Sequence, residues 1–173
     1  SDPLFWLDGL DIPVVQFFDA SFAEGLGEDQ QPITKPLGDS AARYGANMMP
    51  LGYERTKPTS PIFNYPYARS REALEQMRRT DEWDPSHGLK MRYSNPVDGG
   101  WAMPTIGTCL QLMPRGFTGA PYKSTDATVY VCVEGTGRTH VRDTQIDWGP
   151  RDVFVVPSWY DIRHEAHSDA VLF

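Results

Sequence analysis

Short runs of alternating apolar and polar residues, separated by turn residues, fill the chain from Met91 to its last residue. The runs lie at 105–113, 127–134, 138–141, 144–148 and 152–157. Several short strands at this spacing are typical of a small antiparallel barrel or sandwich. We therefore predict a mainly β domain, and we expect it to be incomplete because 170–173 has the pattern of the middle of a strand.

The chain before this region has little periodic pattern. Residues 23–66 are rich in Gly and Pro, which predicts a long irregular arm that runs over a surface. The arm also carries large apolar side chains, which argue against disorder. We expect these side chains to pack on another barrel or subunit: Tyr44, Met48, Met49, Tyr53 and Phe63.

One helix is predicted, over 70–79. Ser70 is a plausible N-cap, and Ala73, Leu74 and Met77 fall on one face. Before the arm, residues 5–13 have the pattern of a strand end followed by a turn. A chain rarely begins with exposed apolar side chains, so we expect the true start of the domain to lie upstream.

The composition is that of an ordinary globular protein. The net charge of −7 disfavours a nucleic-acid partner. No apolar run approaches the roughly 20 residues of a membrane span, and no signal peptide is recognisable, so we expect a cytoplasmic protein. Cys109 and Cys132 lie in strand-like runs without the close spacing of a metal or redox pair, which predicts buried, reduced thiols.

Two segments of the β region resemble the conserved motifs of cupins, which are double-stranded β-helices (jelly rolls) that often hold a metal inside. In the first, an apolar strand over 128–134 leads into Gly135-Thr-Gly137. In the second, Gly149-Pro-Arg-Asp leads into Val-Phe-Val-Val-Pro157. The resemblance implies a cupin jelly roll with a long N-terminal arm and one short helix.

The resemblance extends to one family of two-barrel cupins, the gentisate 1,2-dioxygenases with the related salicylate and 1-hydroxy-2-naphthoate dioxygenases. Matching blocks follow the family's order, from Trp-Leu-Asp-Gly-Leu-Asp-Ile-Pro at 6–13 and Asp-Glu-Trp-Asp-Pro-Ser-His-Gly at 81–88 to 104–107, 122–128 and 148–159. The chain resembles the C-terminal half of such a bicupin, truncated at both ends. The implied domains are the end of the first cupin (1–22), a connecting arm (23–90) and the second barrel (91–173).

The resemblance also locates the positions of the family's iron ligands. The His-x-His pair lies thirteen and eleven residues before Gly135, at Tyr122 and Ser124, and the third histidine falls at Ile162. An isoleucine cannot bind a metal, and a serine hydroxyl is a poor ligand for Fe(II). We therefore predict no metal or other cofactor in this chain, in agreement with the family, whose second cupin is typically metal-free.

The resemblance implies a parent protein that is an extradiol-type, ring-cleaving dioxygenase of aromatic catabolism, with Fe(II) in its first cupin. Its partners would be O₂ and an aromatic hydroxy acid, either gentisate or a related hydroxy-aromatic carboxylate, and we expect a homo-oligomer without nucleic-acid or membrane partners. This chain alone is expected to be inactive. The alternative is a non-catalytic cupin module that serves oligomer assembly or binding.

Asp8 is the candidate catalytic residue. It resembles an aspartate of the family that points at the active site from the end of the first barrel, where a carboxylate could orient the substrate or transfer a proton. The alternative is a turn-forming aspartate before Gly9. Asp11 is predicted to be a turn or cap residue.

The histidines are assigned structural positions. His164 lies two residues past the ligand position at Ile162 and is predicted at the barrel mouth or surface. His167 is expected in a turn. His140 alternates with Arg138 and Arg142, which predicts one solvated face.

A basic group follows the predicted helix. His87, Lys90 and Arg92 are predicted to be exposed loop and strand-edge residues. The alternative for them is an anion-binding patch for a carboxylated substrate.

Overall fold

The computed structural model describes residues 6–80 and 82–173, so the predictions that fall on 1–5 and on Asp81 lie outside the described residues. Within these ranges, three helices precede eight strands. The helices are α1 (Ile12–Phe17), α2 (Asp39–Tyr44) and α3 (Tyr67–Met77). The strands are β1 (Leu89–Arg92), β2 (Cys109–Met113), β3 (Thr128–Glu134), β4 (Gly137–Val141), β5 (Thr144–Trp148), β6 (Val153–Val156), β7 (Ile162–Ala166) and β8 (Ala170–Leu172).

The strands form two antiparallel sheets that pack face to face. One has the order β1-β2-β8-β3-β6 and the other β5-β4-β7. Alternate residues of β4 and β7 are buried, because successive side chains of a strand point to opposite faces. Large apolar side chains from both sheets line the space between them, among them Met113, Tyr130, Trp148, Phe154 and Ile162.

The helix α3 covers the outer face of the larger sheet. Leu74 is fully buried against Leu110 and Leu112, which confirms the predicted apolar face of the helix. Its predicted start was wrong: the helix begins at Tyr67, after Pro66 at the N-cap position. Ser70 lies inside the helix, and its hydroxyl reaches only the Pro66 carbonyl, at 3.5 Å.

The turn between β3 and β4 requires glycine at two positions. Gly135 has φ +80°, and a Cβ there would lie 2.2 Å from the Asp169 carbonyl oxygen. A Cβ on Gly137 would meet the Glu165 carbonyl oxygen at 2.3 Å and the Trp148 ring. The Gly-x-Gly pattern is therefore fixed by close approach of neighbouring strands.

The N-terminal part differs most from the predictions. Residues 6–11 form no strand; α1 follows them and begins at Ile12 with Pro13 in its first turn, where a missing N–H costs no hydrogen bond. The arm also contains a short helix, α2, so the chain has more than the one predicted helix. Several contacts tie the arm to the domain; for example, Arg55 pairs with Asp98 at 2.7 Å, and the Ser60 N–H donates to the Ala102 carbonyl at 2.8 Å.

The five predicted strand runs are confirmed as β2–β6: β2, β3 and β6 are shorter than predicted, β4 begins one residue earlier, and β5 has the predicted bounds. The strand β8 forms where the pattern suggested a strand. Two further strands, β1 and β7, were not among the predicted runs. Both cysteine thiols are free; Cys132 is buried, which raises its pKa to about 11, and Cys109 is half-buried. None of the described helices is long and apolar enough to cross a membrane.

Candidate functional site in the barrel interior

His164 lies at the centre of a buried polar group between the sheets. The prediction that it lies at the barrel mouth or surface was wrong, because β7 points it inward and its side chain is fully buried. Its Nδ1 lies 2.8 Å from the Thr139 hydroxyl, and that hydroxyl accepts a hydrogen bond from the Trp148 indole N–H at 2.9 Å.

These contacts fix the tautomer of His164. If Nδ1 carried the proton, the buried Thr139 hydroxyl would accept twice, and its own proton would have no acceptor. The arrangement that satisfies the Trp148 N–H, the Thr139 hydroxyl and Nδ1 together has the Thr139 O–H donating to Nδ1, which places the proton of the neutral ring on Nε2. Burial lowers the pKa of His164 from 6.5 to about 3, so the ring is neutral at neutral pH.

Two tyrosines complete this group. The Tyr122 and Tyr130 hydroxyls lie 2.9 Å apart, and the Tyr130 ring meets the His164 ring edge to face with centroids 5.0 Å apart. Burial raises the pKa of both tyrosines. The ring of His87 packs on Tyr122 from the other side, at 4.3 Å between centroids.

The three residues predicted to stand at the iron-ligand positions do not form an iron site. The Tyr122 hydroxyl is held by Tyr130, and the Ser124 hydroxyl donates to Asp126. Ile162 is a buried aliphatic residue whose backbone pairs with that of Tyr122. Among the described residues, no group of three His, Cys, Asp or Glu side chains is close enough to share a metal ion.

The basic group after α3 is only partly exposed. His87 was predicted to be an exposed loop residue but is half-buried, and burial followed by the charge of Lys90 lowers its pKa. Arg92 lies 5.3 Å from the Trp101 ring centroid and donates to the Gly99 carbonyl. Lys90 is exposed, as predicted.

Gln111 is a buried polar residue that the sequence reasoning missed. It lies on β2 between Cys109 and Met113, and its side chain is 1% exposed. Within the described part of the chain, neither its Oε1 nor its Nε2 has a hydrogen-bond partner, and the same holds for His164 Nε2 and His87 Nδ1. A lone glutamine in an apolar strand gives no sequence signal beyond its mismatch with the pattern.

The structure brings Asp8 into no contact with this group. Asp8 is exposed in the segment before α1, and no hydrogen bond joins its side chain to the described residues. Asp11 occupies the N-cap position of α1, as predicted, and its carboxylate accepts from the Thr105 hydroxyl at 2.6 Å.

The remaining histidines, His140 and His167, lie outside the buried polar group. His167 is exposed in a turn, as predicted. His140 is half-buried on the outward face of β4, with Nε2 3.0 Å from Glu165 Oε1 but not aligned for a hydrogen bond. On the same face Arg138 pairs with Asp147. Arg142 lies beyond the end of β4, in the turn before β5, and stacks on Tyr160.

Comparison with known proteins connects this fold to ring-cleaving enzymes. The chain is 60% identical over 171 residues to gentisate 1,2 dioxygenase 1 of Aquipseudomonas alcaligenes, covering 99% of this chain and 49% of that protein. It is 34% identical over 176 residues to the 5-aminosalicylate 1,2-dioxygenase of a Comamonas species, covering 100% of this chain and 46% of that protein. No family model matches.

Solved structures give the same result. The crystal structure of a salicylate 1,2-dioxygenase from Pseudaminobacter salicylatoxidans superimposes with a TM-score of 0.82 at 27% identity, covering 94% of this chain and 48% of that chain. The chain therefore spans about half the length of the relatives that it matches. The predicted resemblance to gentisate 1,2-dioxygenases and the predicted mainly β cupin fold are both confirmed.

Proposed function

We propose that this chain, which corresponds to the C-terminal half of a bicupin of the gentisate 1,2-dioxygenase type, is part of an extradiol-type, ring-cleaving dioxygenase. The substrate of the parent would be gentisate or a related hydroxy-aromatic carboxylate, with O₂, and its compartment the cytoplasm. The observation that carries the proposal is the 60% identity to a gentisate 1,2 dioxygenase. Relatives named for 5-aminosalicylate and 1-hydroxy-2-naphthoate support the wider substrate class.

The Fe(II) of the parent is assigned to its first cupin. An iron that binds both O₂ and a chelating substrate needs imidazole or carboxylate ligands and open positions. Tyr122, Ser124 and Ile162 supply no such set, since one hydroxyl is held by Tyr130, the other by Asp126, and the third side chain is aliphatic. The contribution of this chain to the chemistry would come from Asp8, an exposed carboxylate in the segment assigned to the end of the first cupin.

A second function, assembly, is favoured by the surface of the N-terminal part. Many large apolar side chains of residues 6–63 are exposed to solvent: Phe22 is 89% exposed, Ile33 94% and Phe63 95%. Exposed apolar surface on this scale marks an interface. We propose that the arm packs on the first cupin or on a neighbouring subunit, and that the parent is a homo-oligomer.

The dioxygenase proposal is tested by supplying a first half. The chain is purified alone and fused behind the N-terminal half of the Aquipseudomonas alcaligenes relative, and both are loaded with Fe(II). We expect gentisate-dependent O₂ uptake from the fusion and none from the chain alone. An iron-loaded, folded fusion that consumes no O₂ with gentisate, 5-aminosalicylate or 1-hydroxy-2-naphthoate would contradict the proposal.

The assembly proposal is tested on the same fusion. Phe22→Ser together with Ile33→Ser should lower the oligomeric mass measured by light scattering. The matched control is Val129→Ser together with Val155→Ser, which removes exposed apolar side chains from the β3–β6 pair instead. An unchanged mass in the arm variant, or an equal loss in both variants, would argue against an interface through the arm.

A further inference from the structure

The buried amide of Gln111 is unusual because neither of its polar atoms has a partner in the described chain. Residues on either side of it alternate: Leu110 and Leu112 pack towards α3, whereas Met113 belongs to the core between the sheets. Gln111 therefore points to the inside of the barrel. Buried polar groups are nearly always hydrogen-bonded, so an unpaired amide here calls for a ligand.

A positive charge lies beside this amide. Lys90 is directly across from Gln111 in the β1–β2 pair and so shares its face of the sheet. The ammonium group of Lys90 is also close enough to His87 and His164 to lower the pKa of both rings. Lys90 thus lies near the Gln111 amide and near His87, which precedes β1, and its charge also reaches His164 on the smaller sheet.

One of the unpaired polar groups in the barrel interior is a hydrogen-bond donor. His164 Nε2 carries a proton, as its contact with Thr139 requires, and this buried N–H has no acceptor among the described residues. The neighbouring carboxylates are already supplied with donors: Asp84 accepts from the backbone N–H groups of Ser86 and His87. Asp126 accepts from the hydroxyls of Ser124 and Thr128.

We propose that the interior of this barrel binds a small carboxylate. Lys90 would neutralise its charge, and the Gln111 amide and the His164 Nε2–H would donate to its oxygens. A carboxylate accepts several hydrogen bonds, and charge-assisted bonds are the strongest of them. The edge-to-face rings of His87 and Tyr122 would lie against the body of the ligand, which favours a flat acid.

The test uses benzoate as the probe and benzamide as its neutral counterpart, with the purified chain and calorimetric titration. We expect benzoate to bind with a Kd on the order of 1 mM and benzamide to bind at least about tenfold more weakly. Lys90→Met should weaken benzoate at least about tenfold. The matched control Arg92→Met removes the same charge from the same strand face but should change the Kd less than about twofold, because Arg92 is held at Trp101.

Two further measurements keep the test independent of folding. Gln111→Met conserves the side-chain volume, so the variant should fold and lose benzoate binding. In the unsubstituted chain labelled with ¹⁵N-histidine, the His164 Nε2–H resonance should shift on addition of benzoate. The proposal is overturned if benzoate gives neither a heat of binding nor a shift of the His164 resonance up to about 20 mM. It is also overturned if benzamide binds as tightly as benzoate, or if the Lys90 and Arg92 variants lose the same affinity for benzoate.

Discussion

The Thr139 hydroxyl lies 2.8 Å from Nδ1 of His164, in the middle of the barrel. The same oxygen accepts from the Trp148 indole at 2.9 Å, so one hydroxyl connects β4, β5 and β7 of the smaller sheet. All three side chains are buried. A hydroxyl suits this point because its single oxygen accepts from the indole N–H and its proton is donated to the unprotonated nitrogen of a neutral imidazole.

Replacing this hydroxyl should be costly. Thr139→Val keeps the shape but leaves the Trp148 N–H and His164 Nδ1 buried without a partner, and each such group costs about 1–3 kcal/mol. We expect the free energy of unfolding, measured by urea denaturation, to fall by about 2–4 kcal/mol. The control Thr144→Val, at an exposed position of β5, should stay within about 0.5 kcal/mol. Equal effects of the two substitutions would show that the hydroxyl has no structural role.

The buried His164 should also make the domain sensitive to mild acid. Its pKa is about 3 in the folded chain and 6.5 in the unfolded one, so the unfolded state binds the extra proton first as the pH falls. The contribution is fully present above pH 6.5 and is lost as the pH falls from 6.5 towards 3. The expected loss is about 1.4 kcal/mol per pH unit.

Substitutions distinguish the loss of stability caused by His164 from losses caused by other titrating groups. His87 has a lowered pKa too and acts with the same sign, so the unsubstituted chain is compared with His164→Gln by urea denaturation between about pH 6 and 4.5. The variant should lose less stability over this interval. The control His167→Gln, at an exposed turn, should keep the full slope. If His164→Gln keeps the full slope as well, the ring is not neutral in the folded state.

The unpaired amide of Gln111 predicts a stabilising substitution. Gln111→Met fills nearly the same volume and removes two buried polar atoms that have no partner in the described chain. Without ligand, we expect the free energy of unfolding to rise by about 1–3 kcal/mol. The exposed Gln145→Met should be neutral. A loss of stability in Gln111→Met would show that the amide is satisfied in solution.

Much of the barrel could be predicted from the sequence because its signals are local. The strands β2–β6 are short apolar or alternating runs between turns, and Gly135 and Gly137 mark a turn that no larger residue could form. The strand β7 was missed because a polar residue, His164, occupies one of its three buried positions. Its inward position for His164 depends on pairing with β4, and such long-range pairing is not written in the local pattern.

The metal prediction depends on three side chains. Because Tyr122, Ser124 and Ile162 stand at the positions that the resemblance assigns to iron ligands, we expect less than about 0.1 iron atom per chain after Fe(II) loading and desalting, measured by elemental analysis. Nitrogen and carboxylate ligands hold such ions, and none of these three residues supplies them. The Fe(II)-loaded fusion described above is the positive control, with about one iron per chain expected. Near one iron in the chain alone would contradict the prediction.

Asp8 is the residue through which we propose that this chain contributes to the reaction. In the iron-loaded fusion, Asp8→Ala should lower turnover by about 10²–10⁴-fold, which is the usual contribution of a positioned acid–base group. Stability should not change, because Asp8 is exposed and its side chain makes no hydrogen bond to the described residues. Gentisate-dependent O₂ uptake and the thermal midpoint are measured side by side.

Asp11 provides the matched control, three residues further along the same segment. Its carboxylate accepts from the Thr105 hydroxyl at 2.6 Å, so Asp11→Ala should lower the free energy of unfolding by about 1 kcal/mol and leave turnover per folded molecule intact. The two substitutions thus remove the same charge with opposite expected outcomes. If Asp8→Ala instead lowers the midpoint and keeps full turnover, Asp8 is a turn residue, and the part of this chain in the enzyme is confined to its barrel and its arm.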